Sequence, residues 1–382
     1  MRKVCIIVNS RANYARIYSV LRAIQNHKYL KLQLVVGASA LLYRFGKVID
    51  RIEKDGFKPV AKLYSIIEGE NPVTMAKSTG IAIIELSTIF ENLKPDIVLT
   101  VADRFETLAT AVAASYMNIP LAHTQGGEQT GSIDESVRHA ITKLAHIHFP
   151  ATNKSKKILI KMGENKKNIF NFGCPSIDLI DKKNLKLSNN LIKNSKGVGY
   201  YINLKKPYIV VLQHPVTTEY KSTNSQINET IEAIKKINMQ TIWLWPNVDA
   251  GSDDISKSLR VFRENNPNFK IRFVRHFDAE DYLKIIFNSS CLIGNSSSAI
   301  REGAFLGIPA VNIGNRQIGR ERASNVIDVL SNRKNIYTAI KKQIKAHKYP
   351  NSNLYGNGKA GVKIADKLSK IKLTIKKELN YI

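Results

Sequence analysis

Short, wholly apolar runs punctuate this chain, and each stops abruptly at a few small or charged residues before a helical pattern takes over. Val4-Cys-Ile-Ile-Val8 gives way to Asn9-Ser-Arg-Ala-Asn-Tyr14, and then Ile17, Val20, Leu21 and Ile24 recur at helical spacing. Runs without polar alternation are strands buried on both faces, which is the condition of a parallel sheet covered by helices. The device repeats at Leu32–Val36, at Lys94–Val101 and at His146–Phe149. It returns at Tyr208–Gln213, Thr241–Trp245, Ile271–Val274 and Cys291–Ile293, with one more strand after Pro309. A chain patterned in this way has few choices beyond a doubly wound α/β fold, whose ligands bind outside the carboxyl ends of the strands.

The series is too long for one sheet. With 382 residues, two domains are the natural expectation. The fewest periodic apolar positions, and many Lys and Asn, fall between Asp181 and Lys206. The expected division is therefore an N-terminal α/β domain over 1–180, a linker over 181–206, a second α/β domain over 207–365, and a lysine-rich C-terminal helix over 366–382. The 58 Lys and Arg against 31 Asp and Glu leave a net charge of +27. Most of that excess is lysine scattered among Asn and Ile. Without an aromatic-interleaved basic motif or zinc spacing, it reads as a solvated surface rather than a nucleic-acid site. Cys5, Cys174 and Cys291 are odd in number and far apart, so neither a disulfide framework nor a metal cluster is expected. The sequence enters a strand at once, with no leader and no apolar run read as a membrane span, and a cytoplasmic protein is expected.

The chemistry is expected at the strand ends. Ser10 and Arg11 stand where a helix begins, a natural anion site. Asp103 and Arg104 follow the strand ending at Val101, and Glu128 follows Gly126-Gly127 after the strand through Leu121. Two acids at neighbouring strand tips converge on one cleft. Asp134 and Glu135 open the next helix, capped by Ser132 or Asp134, with His123 and His139 nearby. In the second half His214, before a proline, ends another strand. Gly294-Asn-Ser-Ser-Ser298 opens a helix bearing Arg301 and Glu302. Such a hydroxyl run suits a phosphate, and an acid about a turn further on suits a ribose. Arg316 and Arg320 lie in a basic loop beyond the last of these strands.

In order along the chain, Ser10–Tyr14, Ala102-Asp-Arg104, Gln125-Gly-Gly-Glu128, Ile133–Ala145, Gln213–Thr218, Pro246–Ser252, Gly294–Ser298 and Arg316–Glu321 resemble the hydrolysing UDP-N-acetylglucosamine 2-epimerases. These act on nucleotide sugars for sialic- or legionaminic-acid synthesis. The resemblance spans nearly the whole chain. It implies two Rossmann-like domains of the B-type glycosyltransferase kind, with an active site between them. It also implies catalytic roles for Asp103, Glu128, Asp134 and His214. Nucleotide-binding roles fall to Arg11, Arg104, Asn247, Phe277, Ser296, Ser297, Glu302 and Arg316, with the base held near His276-Phe277. Ala102, Thr124-Gln125 and Ala299 depart from the family's usual pattern, whereas the acids do not. No cofactor or metal is implied. The partner implied is a UDP- or GDP-linked acetamido sugar, not nucleic acid or membrane, and the assembly expected is a homodimer or homotetramer.

The reaction this implies converts UDP-N-acetylglucosamine to N-acetylmannosamine and UDP, by anti elimination to a 2-acetamidoglucal and then hydration. A hydrolysing 2-epimerase of a 2,4-diacetamido-2,4,6-trideoxy sugar on UDP or GDP, or of GDP-N-acetylglucosamine, stands beside it. A non-hydrolysing 2-epimerase and a B-type glycosyltransferase are the other readings, although three acids at strand tips of the first domain exceed what a glycosyltransferase needs.

Overall fold

In the computed structural model, all residues are described except 44–45, 70, 102–103, 189–190, 196, 247–250, 276, 379 and 381–382. The chain divides into two compact units. Unit 1 comprises Met1–Glu128, Ile133–Leu179 and Tyr355–Ile382, and unit 2 comprises Gln129–Ser132 and Ile180–Leu354.

Unit 1 is built on β1 (Arg2–Val8), β2 (Leu30–Gly37), β3 (Ala61–Leu63), β4 (Ile97–Val101), β5 (Leu121–Thr124) and β6 (Ile147–Phe149). They form a parallel sheet in the order β3-β2-β1-β4-β5-β6. Its helices are α1 (Arg11–Gln25), α2 (Val48–Lys54), α3 (Pro72–Leu93), α4 (Phe105–Tyr116), α5 (Ile133–Leu144) and α6 (Asn153–Lys161). The unbroken apolar run of β1 is explained by its two faces. Val4, Ile6 and Val8 join one core with α1, while Cys5 and Ile7 join another with α3 and α4. The order reverses between β1 and β4, so the switch point lies where Ser10, Arg11 and Arg104 stand.

Unit 2 begins with α7 (Leu191–Asn194) and β7 (Gly197–Gly199). It continues with β8 (Tyr208–Leu212), α8 (Thr223–Ile237), β9 (Gln240–Leu244), α9 (Ser252–Asn265), β10 (Ile271–Val274), α10 (Ala279–Phe287), β11 (Cys291–Gly294) and α11 (Glu302–Leu306). It ends with β12 (Ala310–Ile313), β13 (Val326–Val329) and α12 (Arg333–Ala346). The sheet order is β13-β12-β11-β8-β9-β10-β7, parallel except for β7 at one edge. Setting β7 aside, this is the plan of unit 1 again, with its switch point between β8 and β11. Trp243 fills the centre of the core, fully buried.

The domain limits differ from the sequence expectation in two places. The stretch expected as a linker over 181–206 lies in unit 2, where Leu185, Leu191, Ile192 and Ile202 are buried and β7 pairs with β10. At the other end, the chain returns to unit 1 at Tyr355, and α13 (Ala360–Lys370) begins before the expected boundary at 366. Ile364, Ala365 and Leu368 of α13 complete the core that α1 covers. Gly361 packs so closely that a Cβ there would stand 2.6 Å from the Ser19 carbonyl carbon.

The tail beyond α13 is held by a buried charge cluster. Glu164, its side chain only 2% exposed, takes Lys377 at 2.7 Å, Lys143 at 2.9 Å and His148 Nε2 at 2.9 Å. Burial alone would raise the Glu164 carboxyl, but His148, Lys377 and Lys143 outweigh it and hold it at about 2. Burial pushes the His148 ring below its usual value, against the opposing pull of the Glu164 carboxylate beside it.

By length and composition alone, α3 could cross a membrane, a property the sequence reading did not assign to any stretch. In the fold it is a covering helix of unit 1: Ala82, Leu86 and Phe90 bury one of its faces against the sheet.

Candidate functional site

In unit 1, Ser10 caps α1, its Oγ accepting from Asn13 N at 3.2 Å. Arg11 is thereby fixed as the first helical residue. Asn13 closes the switch point, donating from Nδ2 to the Val101 carbonyl at 3.4 Å and accepting from Asn9 N at 3.3 Å. Asp103 lies outside the described residues. Its neighbour Arg104 is buried, and its Nε pairs with Glu106 Oε2 at 3.1 Å. Glu106, which the sequence reading did not single out, thus neutralises part of the charge expected to meet a phosphate.

At the tip of β5 the backbone turns through Gln125 at φ +63° and Gly127 at φ +77°. Space requires glycine at 127 and leaves little room at 126. A Cβ on Gly127 would stand 2.3 Å from the Ser155 carbonyl oxygen of α6, and one on Gly126 would stand 3.0 Å from Thr142 Oγ1 of α5. The turn delivers Glu128 to a position 4% exposed. Its carbonyl accepts from Arg138 Nη1 at 2.6 Å. Arg138 is fully buried and lies four residues after Asp134, on the same face of α5. One guanidinium therefore ties the strand tip bearing Glu128 to the helix bearing Asp134. The i+4 spacing was the available signal for it in the sequence.

The two neighbouring histidines are occupied by structural contacts. His123 is buried with Nδ1 3.2 Å from Thr142 Oγ1, and His139 Nε2 lies 3.5 Å from Glu135. Ser132 Oγ has no hydrogen-bond partner among the described residues, so the expected Ser132 cap is not made.

Unit 2 gathers its candidates around Asn295, another residue not singled out from the sequence. Its Oδ1 accepts from His214 N at 2.7 Å, and its Nδ2 donates to the His214 carbonyl at 2.8 Å. The tips of β8 and β11 are thereby clamped together at the switch point. Arg316 Nη1 lies 3.5 Å from the Asn295 carbonyl, which Gln317 Nε2 also reaches at 2.8 Å. Unit 2 also includes Gln129–Ser132, where Gly131 N donates to the Arg316 carbonyl at 3.3 Å.

The serine run differs from expectation. It does not open an α-helix: Ser296 caps a 3₁₀ turn over Ser297–Ala299, and α11 begins only at Glu302. Three hydroxyls are chained there, Ser296 to Ser298 at 2.9 Å and Ser298 to Tyr282 of α10 at 2.6 Å. A turn this short supplies exposed N–H groups and little macrodipole. Glu302 Oε2 is buried and has no hydrogen-bond partner among the described residues. Phe277 is buried just after β10, whereas Asn247 and His276 lie outside the described residues. Among the described residues, no group of three or more His, Cys, Asp or Glu side chains is placed to hold a metal ion.

Two Rossmann-like units, each a parallel sheet covered by helices, define a B-type glycosyltransferase-like fold. The sequence profile of the UDP-N-acetylglucosamine 2-epimerases matches residues 22–369, and the chain belongs to that family. It is 34% identical over 373 residues to the hydrolysing UDP-N,N′-diacetylbacillosamine 2-epimerase of Legionella pneumophila, covering 98% of this chain and 97% of that one. It is also 34% identical to the hydrolysing GDP/UDP-N,N′-diacetylbacillosamine 2-epimerase of Campylobacter jejuni, covering 86% and 84%. Among solved structures, the UDP-GlcNAc 2-epimerase of Methanocaldococcus jannaschii, in complex with UDP-GlcNAc and UDP, superposes with a TM-score of 0.79 at 21% identity, covering 96% and 99%.

Proposed function

We propose that this enzyme is a hydrolysing 2-epimerase that releases a free 2-acetamido sugar of inverted C2 configuration, together with UDP, from a UDP-linked sugar. The observation that carries this reading is the 34% identity, over almost the full length of both chains, to a hydrolysing 2-epimerase. That relative acts on UDP-N,N′-diacetylbacillosamine, so the 2,4-diacetamido-2,4,6-trideoxy sugar is the substrate to test first. UDP-N-acetylglucosamine is the second reading, supported by 28% identity to the Neisseria meningitidis UDP-N-acetylglucosamine 2-epimerase.

The chemistry explains why such residues are needed. C2–H of an acetamido sugar is not acidic until the C1–O bond to the diphosphate begins to break and C1 takes on cationic character. Arg11 and Arg316 are assigned to the departing diphosphate, whose growing charge they stabilise. Arg104, engaged by Glu106, has the smaller share. Asp103, Glu128 and Asp134 flank the sugar, and one of them takes the C2 proton as UDP leaves, giving the 2-acetamidoglucal. Water then adds to C1, and a proton returns to C2 from the opposite face. His214 is assigned to the same reaction. Ser296, Ser297, Asn247 and Phe277 are assigned to the nucleotide. Glu302 takes the ribose hydroxyls, in keeping with its buried and unsatisfied Oε2.

Incubation of each UDP-sugar in heavy water, followed by NMR of the products, tests this reading. Free sugar carrying deuterium at C2, together with UDP, is expected. A product that keeps UDP on C1 would refute hydrolysis, and free sugar without deuterium would refute elimination.

A further inference from the structure

We propose that Asn295 is a positioning residue for the reaction, its side-chain amide setting where His214 stands; this rests on the functional reading above. The ladder between β8 and β11 runs from Ile209 opposite Cys291 to Leu212 opposite Gly294. One more backbone bond, from Asn295 N to the Leu212 carbonyl at 3.2 Å, closes it. His214 lies beyond that last bond. Pro215 follows, with no N–H to carry a ladder further, and confines His214 to extended backbone.

The Asn295 amide takes the place of the missing strand. It accepts from His214 N at 2.7 Å and donates to the His214 carbonyl at 2.8 Å, the two groups a neighbouring strand would have met. A primary amide presents an acceptor and a donor side by side, as a peptide does, whereas an ionised carboxylate of the same size only accepts. Gly294 brings the amide there. At φ +125° the chain passes so close to β8 that a Cβ on Gly294 would stand 2.1 Å from the Leu212 carbonyl oxygen. The sheet does not need these two bonds, since its strands are already paired up to Leu212 and the bonds fall past the end. What they fix is His214.

The backbone of Asn295 serves a different partner. Its carbonyl accepts from Gln317 Nε2 at 2.8 Å and lies 3.5 Å from Nη1 of Arg316, the residue assigned to the diphosphate. A side-chain substitution should therefore release His214 and leave the Arg316 loop held. Asn295 and His214 are both buried, so a lost bond strands a polar group away from water.

A double-mutant cycle tests the proposal, read as steady-state UDP release from the UDP-linked acetamido sugar that the wild type turns over. Asn295→Ala should lower kcat about 10- to 100-fold. KM and calorimetric UDP affinity should stay within about threefold. Asn295→Asp keeps the acceptor for His214 N and loses the donor, so its kcat should fall between Asn295→Ala and wild type. It also carries the test if Asn295→Ala fails to fold. In a His214→Ala background, either substitution should cost less than about threefold more, because the group it positions is gone. Losses that multiply in the double variant, a loss confined to KM or UDP affinity, or a folded Asn295→Ala enzyme within about twofold of wild type would each overturn the proposal. Full turnover in His214→Ala would do so as well. A wild type that releases no free sugar and UDP would instead overturn the functional reading, and this inference with it.

Discussion

Replacing Arg138 with methionine separates a residue that merely fills the core from one that sets where Glu128 stands. Methionine keeps much of the length and removes every donor. The Glu128 carbonyl then loses the bond it now receives at 2.6 Å, a charge-assisted interaction of about 1.5–3 kcal/mol. If that bond only supported the fold, its loss would appear as a lower melting temperature. If it fixes the strand tip that delivers the carboxylate, the same energy should appear in the chemical step. At about 1.4 kcal/mol per tenfold, turnover should fall roughly 10- to 150-fold, with KM and UDP affinity changed far less. Arg138→Lys keeps the charge without the fork geometry and should fall between. Steady-state UDP release, calorimetric titration with UDP, and thermal melting of the same preparations are the assay. A folded Arg138→Met enzyme with turnover within about twofold of wild type would refute the reasoning.

Two further outcomes are expected. Glu164 is held at about 2 against an ordinary value of 4.5. Its charge therefore contributes stability that is fully present above about pH 4.5 and is lost as pH falls toward 2, at most about 3 kcal/mol. Melting temperature followed against pH should show this acid-side loss in the wild type and a flattened curve in Glu164→Gln; parallel curves would argue against the cluster. Glu302→Ala should weaken UDP binding by about 1.5–3 kcal/mol per lost hydrogen bond while slowing the chemical step much less. Unchanged UDP affinity in calorimetry would place the ribose elsewhere.

How much of this was legible in the sequence depends on the length and burial of each piece. The runs that became β1, β4 and β8 are buried on both faces, and their apolar character alone announced a parallel sheet. The three-residue β3, with Lys62 at its centre, and the half-exposed edge strand β13 carry too little pattern to be noticed. Gly197-Val-Gly199 pairs through its backbone and reads as a loop by any side-chain rule. Candidate residues showed themselves by standing at strand ends. Their supports did not: Asn295 acts by clamping two tips, and Glu106 by pairing with a neighbour, relations that only the folded chain displays. The serine run misled because hydroxyl-rich openings suit 3₁₀ turns as well as α-helices.

The late return of α13 to unit 1 has a consequence for synthesis. The first unit emerges from the ribosome without Ile364, Ala365 and Leu368, residues its core requires. Until nearly the whole chain has been made, α1 must leave bare the apolar surface that α13 will later cover. Unit 2, whose residues run almost continuously from Ile180 to Leu354, can close on itself sooner. The second unit to be translated is therefore the first able to finish folding, and a protein cut after Leu354 should strand its first unit as a sticky, half-covered intermediate.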